Sequence, residues 1–332
     1  MMWADGCRLN DADHLMRVCH RIVAKGLALL VGGALAFGAS LLWSASIAAQ
    51  PSSLQRLDDR GKTIRLSQPA RRVVTLAPHL AELAEAAGAT LVGVSAFTAD
   101  SAMTRALPRV ADSVRLDFER ILALQPDLVL AWRSGNPPAA LARLEALGLT
   151  VHVSEPQRLE DVARLLREFG MLAGDASLAE QRAQQFLQQR DALLQQQAQR
   201  SEAPMPLLVE LWHQPLLLLG GQQLANDVLL LCGARNRYAD QPGTTLTLSM
   251  EQVLRDDPGF ILSTSRDAVA AQQFWGRHPS LRAVRQGGLV VFEDPRLFSM
   301  GPGVLQVAQS LCPRIATARQ RAAMAHGAVA KP

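Results

Sequence analysis

Cysteine is scarce in this chain, at 4 of 332 residues, and no two are spaced as CxxC. That excludes a disulfide scaffold and offers no thiolate spacing for a metal. Tyrosine occurs once, and aromatics make up only 5% of the chain, so each aromatic near a pocket carries extra weight. Net charge is +4 and no run of Lys or Arg stands out. A nucleic-acid binder concentrates positive charge on one stripe, so no nucleic-acid partner is expected. Nucleophile elbow, P-loop, HExxH and strand-linked GxGxxG motifs are all missing. What the chain has in quantity is apolar side chains, at 48%, which excludes a disordered tail protein. Its length suits two domains of about 150 residues each.

The amino terminus reads as an address. Arg17, Arg21 and Lys25 precede an apolar run over residues 26–47, and Ser46, Ala48 and Ala49 supply small side chains at its end. This is the order of a secretory signal, expected over residues 1–49 with Met16 as an alternative start. The run is about long enough to span a bilayer, so an uncleaved anchor is the alternative. Cys19 lies before the run and is no lipoprotein acylation site. On either reading, residues from 50 onward lie outside the cytoplasm. Cys7 and Cys19 fall in or before the signal, which leaves Cys232 and Cys312 in an oxidising compartment. They fit one bridge or two separate buried thiols, and the compartment favours the bridge.

Two lobes follow. Residues 73–76, 91–94, 128–132 and 150–153 read as short buried strands, and residues 80–87, 118–124 and 138–147 as helices between them. Gly88 and Gly148 stand where a helix ends in a left-handed residue, and Asp117 stands as an N-cap. Alternating strands and helices predict an α/β fold with a parallel sheet covered on both faces. A second set reads as strands at 207–211, 260–263 and 289–292, with helices at 226–231, 250–254 and from about 304. The run from Asp117 to Leu130 (DFERILALQPDLVL) lies over that from Ser249 to Leu262 (SMEQVLRDDPGFIL) without a gap. Dipole chemistry explains Glu119 or Glu251 singly. It does not explain the matched Pro126 and Pro258, so the element is repeated, one per lobe. Residues 175–200 are rich in Gln and Ala, with Phe186, Leu187, Leu193, Leu194 and Ala198 on one helical stripe. Roughly 25 helical residues extend about 37 Å. The expected organisation is an N-terminal lobe at 50–174, one stiff connecting helix at 175–200 and a C-terminal lobe at 201–332, with the ligand cleft between the lobes.

Open parallel sheets bind ligands at strand carboxyl ends. Phe97 follows the second strand, Trp132 ends the third, and Trp212 ends the first strand of the second lobe. Together they predict a broad apolar cleft for a large flat ligand, with Arg133, Arg296 and Phe298 at its rim. Trp275 falls in a helical surface segment and reads as packing. His79 and His213 follow the first strand of each lobe and read as rim histidines, since no third or fourth metal ligand accompanies them.

The chain from Arg72 to Cys312 resembles the periplasmic cobalamin-binding proteins of ABC importers, within the helical-backbone class of substrate-binding proteins. The resemblance rests on Arg72 to Leu83 (RVVTLAPHLAEL), Asp117 to Asn136 (DFERILALQPDLVLAWRSGN), Leu144 to Leu149 (LEALGL) and Trp212 to Pro215 (WHQP). Val228 to Asn236 (VLLLCGARN) and Gln309 to Cys312 (QSLC) add to it. The first run is shared with iron-siderophore and haem binders, whereas AWRSGN is more specific to cobalamin binders. The resemblance implies that Trp132 and Phe97 line a corrin cleft, and Pro78, His79, Arg133, Trp212, Gln214 and Arg296 are the further candidates for ligand contact. It implies that Glu119 and Glu251 dock the lobes on arginines of two membrane subunits, and that Cys232 pairs with Cys312. Two cleft aromatics of the best-known member are replaced here, by Ser113 and Thr245, and Trp212 is placed to compensate.

The expected function is capture of cobalamin or a related corrinoid and its delivery to an inner-membrane ABC importer, by a periplasmic monomer that is not an enzyme. No cofactor or resident metal is expected, the corrinoid being cargo. A haem or iron-siderophore binder of the same class is the alternative: haem calls for an axial Tyr or His, and a ferric siderophore favours arginines such as Arg115, Arg133 and Arg296. An exported hydrolase is more remote, with Ser134 near His79 as its one candidate pair.

Overall fold

A two-strand antiparallel hairpin, β1 (Leu54–Leu57) and β2 (Thr63–Leu66), opens the computed structural model, which describes residues 53–112, 115–200 and 202–329. The expected signal, with Cys7, Cys19 and Met16, lies outside the described residues, as does Ser113. The first sheet is wholly parallel. It comprises β3 (Val73–Thr75), β4 (Leu91–Ser95), β5 (Arg109–Ala111), β6 (Leu128–Trp132) and β7 (Val151–Ser154), in the order β5-β4-β3-β6-β7. Strands buried on both faces need continuous apolar runs rather than alternation. Val73 accordingly packs into one core and its neighbour Val74 into another. The helices α1 (Pro78–Ala86), α2 (Phe118–Ala123) and α3 (Pro138–Ala146) connect these strands. Pro78 opens α1 at the position where its missing N–H costs nothing. Gly88 and Gly148 adopt φ of +81° and +85°, so both expected helix stops are left-handed.

Next come α4 (Leu159–Ala173) and α5 (Ala176–Ala198), with Asp175 capping α5 through its side chain. The helix α4 was not expected, although Val162, Leu165, Leu166 and Phe169 bury one face at helical spacing. On α5 the buried residues are Ala179, Ala183 and Phe186, while Leu194 is exposed. Of the expected stripe, Phe186, Leu187 and Leu193 pack on the core, whereas Leu194 and Ala198 are exposed; the small Ala179 and Ala183 let α5 lie close on α4.

The second sheet has a parallel centre and an antiparallel margin. β8 (Met205–His213) pairs in parallel with β10 (Ala234–Asn236) and β12 (Ile261–Ser263), and β12 with β13 (Leu289–Val291). β9 (Leu216–Leu219) returns antiparallel to β8, and β11 (Thr245–Thr247) joins β9 in the same sense. Around this sheet lie α6 (Ala225–Leu231), α7 (Met250–Asp256), α8 (Ala268–Gly276), α9 (Arg282–Arg285), a 3-10 turn (Pro295–Phe298) and α10 (Val304–Val329). Trp275 packs as expected, but in the core rather than at the surface: it is fully buried, and its indole N–H donates to Glu210 Oε2 at 2.7 Å. The repeated element is visible in backbone as well as sequence. Asp117 caps α2 and Ser249 caps α7, and Gln125 and Asp257, each just before the matched proline, take left-handed φ of 45° and 40°.

One apolar core runs beneath both sheets and includes Leu83 of α1, Phe169 of α4, Phe186 of α5, Val228 of α6 and Leu311 of α10. Cys232 and Cys312 form a disulfide between the end of α6 and α10, with Cα atoms 4.5 Å apart. The bridge closes a loop of 80 residues, which in the loop-entropy account restricts the unfolded chain by about 4 kcal/mol. Reduction is expected to lower the unfolding free energy by up to that amount in chemical denaturation. Denatured, unreduced protein beginning at Gln50 should show no free thiol, and two titrating thiols would disprove the bridge.

Candidate functional site

The carboxyl ends of β3 and β6 lie side by side, because these strands are direct neighbours in the first sheet. Chain leaving β3 enters α1 through Pro78 and His79, and chain leaving β6 turns at Trp132. This adjacency brings the two rings together: His79 and Trp132 meet edge to face with centroids 5.3 Å apart. His79 is not the rim histidine expected from sequence. It is 5% exposed, and burial pulls its pKa down to about 3. At neutral pH the pair carries no charge, with Trp132 as its more accessible ring.

The loop after Trp132 holds that indole in place. Asn136 is buried; its Oδ1 accepts the Trp132 backbone N–H at 2.8 Å and its Nδ2 donates to the Leu76 carbonyl at 3.3 Å. One side chain thus ties together the loops that carry Trp132 and His79. Gly135 packs its bare Cα against the indole, where any Cβ would overlap the ring. Ser134 is secured from the other side, its N–H and hydroxyl donating to Glu155 at 2.9 and 2.6 Å. These holding residues sit within the RSGN run, whose motif character was legible while its hydrogen-bonding role was not.

The remaining candidates sit further out. Phe97 is 65% exposed and Trp212 59%. Trp212 stacks on His213 and donates its indole N–H to the Gln214 carbonyl at 2.8 Å, ahead of a cis Gln214–Pro215 bond. Among the described residues no ring contact reaches Phe97 or joins Trp212 to the His79–Trp132 pair. Pro78, Arg133 and Gln214 are not buried, and Arg296 is exposed and paired with Asp294 at 2.6 Å. Thr245 is an exposed edge residue of β11. His213 faces Glu210, with Nδ1 3.3 Å from Oε1, and packs on Phe274 rather than on His79. No group of three or more metal-ligating side chains occurs among the described residues. Tyr238, the one tyrosine of the chain, follows β10, and its hydroxyl donates to Asp256 at 2.6 Å. Burial pushes that hydroxyl's pKa up.

Glu119 and Glu251 occupy the first turns of α2 and α7. Both are exposed, and neither has an ion pair or hydrogen bond among the described residues. Each lobe therefore offers one unpaired carboxylate at an equivalent helix start.

The buried His79 makes stability depend on pH. Its folded pKa lies below its ordinary value of 6.5, so the unfolded chain binds the proton first and stability is lost as pH falls from 6.5 towards 3. Between pH 7 and pH 5 the loss from this group is about 2 kcal/mol. Denaturation curves at those two pH values should show that difference in the parent chain and not in His79→Leu. Parallel losses in both proteins would mean that His79 takes up its proton in place.

Comparison with known proteins agrees with this architecture. The family model described as periplasmic binding protein matches residues 73–294. The vitamin B12-binding protein of Photorhabdus laumondii subsp. laumondii is 34% identical over 248 residues, covering 74% of this chain and 87% of that protein. A solved structure of the periplasmic vitamin B12-binding protein of Vibrio cholerae superposes with a TM-score of 0.68 at 31% identity, covering 76% of this chain and 98% of that one. A periplasmic heme-binding protein from Pseudomonas aeruginosa superposes with a TM-score of 0.64 at 26% identity, covering 74% and 92%. With the matched segment spanning both sheets and the helices between them, the chain belongs to the periplasmic binding protein family.

Proposed function

We propose that this protein captures cobalamin or a related corrinoid in the periplasm and delivers it to an inner-membrane ABC importer. The observation that carries the reading is Trp132, immobilised at the carboxyl edge of the first sheet and backed edge-on by the buried, uncharged His79. A large flat macrocycle gains from a fixed aromatic face, at about 0.5–1.5 kcal/mol per ring beyond the area buried. Phe97 and Trp212 are exposed aromatics at other strand ends, available to cover a ligand too large for a closed pocket. The vitamin B12-binding names of the relatives support the same ligand. Haem is the second reading, favoured by the heme-binding neighbour. It is weaker on the chemistry, because Tyr238 is committed to Asp256 and His79 is buried.

The role is binding without catalysis. The candidate pair for a hydrolase is not assembled: the Ser134 hydroxyl donates to Glu155, and His79 is edge-on to Trp132. Export by residues 1–49, a monomeric state and contact with the importer's membrane subunits complete the proposal. No helix among the described residues is long and apolar enough to cross a membrane.

The deciding experiment is the absorption spectrum after mixing with cyanocobalamin and desalting. Corrin bands should co-elute, whereas haem or ferric bands from natural cargo would redirect the reading. Binding should quench tryptophan emission, and Trp132→Ala should weaken affinity by about 1–3 kcal/mol, as for a buried aromatic anchor. Unchanged affinity in both Trp132→Ala and Trp212→Ala would remove the proposed cleft.

Docking is tested separately. Reversing Glu119 and Glu251 to Arg sets like charges against the arginines expected on the transporter. Purified double variant should bind cyanocobalamin normally while cellular uptake is abolished. Loss of binding in the purified protein would make these cleft or folding residues instead.

A further inference from the structure

The first turn of α1 carries Pro78 and His79, and Glu82 follows one turn later on the same helix. Both hydrogen bonds of the Glu82 carboxylate leave the first lobe. Oε1 accepts the Gly303 backbone N–H at 2.5 Å, and Oε2 accepts the Ser299 hydroxyl at 3.4 Å. Ser299 directly follows the 3-10 turn of Arg296 and Phe298, and Gly303 directly precedes α10. The receiving segment is bare where the carboxylate enters. A Cβ on Gly303 would lie 2.7 Å from Oε1, and one on Gly301 would overlap Oε2. A carboxylate suits this place because the first amides of a helix lack partners and carry partial positive charge. Burial raises the Glu82 pKa, opposed by the Gly303 amide and by the Arg296 charge, as expected of a group withdrawn from water.

We propose that Glu82 is a positioning residue that sets the spacing between the two halves of the cleft. The connecting helix and the shared apolar core hold the lobes together, and a directional tether away from the helix axis fixes the turning that packing alone leaves. Asp227, which accepts from Arg158 and the Leu159 backbone at the start of α4, ties the lobes beside the helix pair. Glu82 instead ties them through the helix that bears His79, and grips the segment beside Arg296 and Phe298. It thereby fixes the proposed aromatic floor against the proposed opposite rim, through other residues and without touching ligand. The ligand in this account rests on the cobalamin reading; the lobe spacing does not.

The test is a distance measurement on ligand-free mature chain. Spin labels on Leu147→Cys and Val269→Cys, both exposed, report one lobe each by double electron–electron resonance, the native cysteines being bridged. The parent distribution should be narrow. Glu82→Ala should broaden it and weaken cyanocobalamin binding about tenfold, through lost preorganisation. Glu82→Gln, which keeps an acceptor for the Gly303 amide, should restore both. Gly301→Ala should shift or broaden the distribution beside Glu82 and add nothing once Glu82→Ala is present, and it decides the matter if Glu82→Ala does not fold. A distribution unchanged in both Glu82→Ala and Gly301→Ala would overturn the proposal. Failure of the parent to bind cyanocobalamin would sink the cobalamin reading alone, since the distances are read without ligand.

Discussion

A single apolar core shared by both sheets is the constraint on which the rest of this molecule depends. Leu80 and Leu83 of α1, Phe169 of α4, Phe186 of α5, Val228 of α6 and Leu311 of α10 belong to one cluster of buried side chains. Pulling the lobes apart would return part of that surface to water, at about 1.5–3 kcal/mol for each large side chain fully exposed. Ala179 and Ala183 let α5 approach closely, and the Cys232–Cys312 bridge ties α6 to α10 within the same cluster. The lobes are therefore held by side-chain packing as well as by the connecting helix. That differs from hinge-closing architectures, in which a few loop residues absorb a large rotation.

A rigid frame has a consequence for the proposed binding mode. If the cleft does not close around its ligand, it must offer a surface already shaped for it. The His79–Trp132 pair meets that need: Asn136 fixes both loops, Gly135 packs under the indole, and burial holds His79 neutral. His79 Nε2 and the Trp132 indole N–H have no hydrogen-bond partner among the described residues, whereas the charged and hydroxyl groups nearby are committed within the protein. Arg296 is paired with Asp294, and Ser134 with Glu155. What remains to attract a ligand is aromatic and weakly polar, which favours a large neutral macrocycle over a highly charged chelate.

Much of this was legible in the sequence, and the omissions have physical causes. Gly88 and Gly148 marked helix ends because left-handed φ falls most readily to glycine. The matched Pro126 and Pro258 exposed the repeated element. The β8–β9 hairpin was invisible because Leu216 to Leu219 is an unbroken apolar run, with no alternation to mark an antiparallel strand. β5 and β10 have only three residues each, too few for any period. At the site, strand-end positions identified Trp132 and His79, but the burial of His79 depends on its neighbours in space. Glu82 carried no signal of its own in the sequence, since its partner Gly303 is 221 positions away.

Rigidity also bears on how a loaded protein is recognised. The repeat places Glu119 and Glu251 at equivalent helix starts, α2 and α7, one on each lobe. Two-point docking through such carboxylates works only when their separation matches that of the receiving arginines. A frame that fixes the lobes fixes that separation whether or not the cleft is filled. The docking step proposed here would then read geometry that is always present, and the presence of cargo would have to be sensed at the cleft mouth. Exposed Phe97 and Trp212 lie at strand ends of different lobes, where a bound macrocycle would cover them and change the face presented to the membrane subunits.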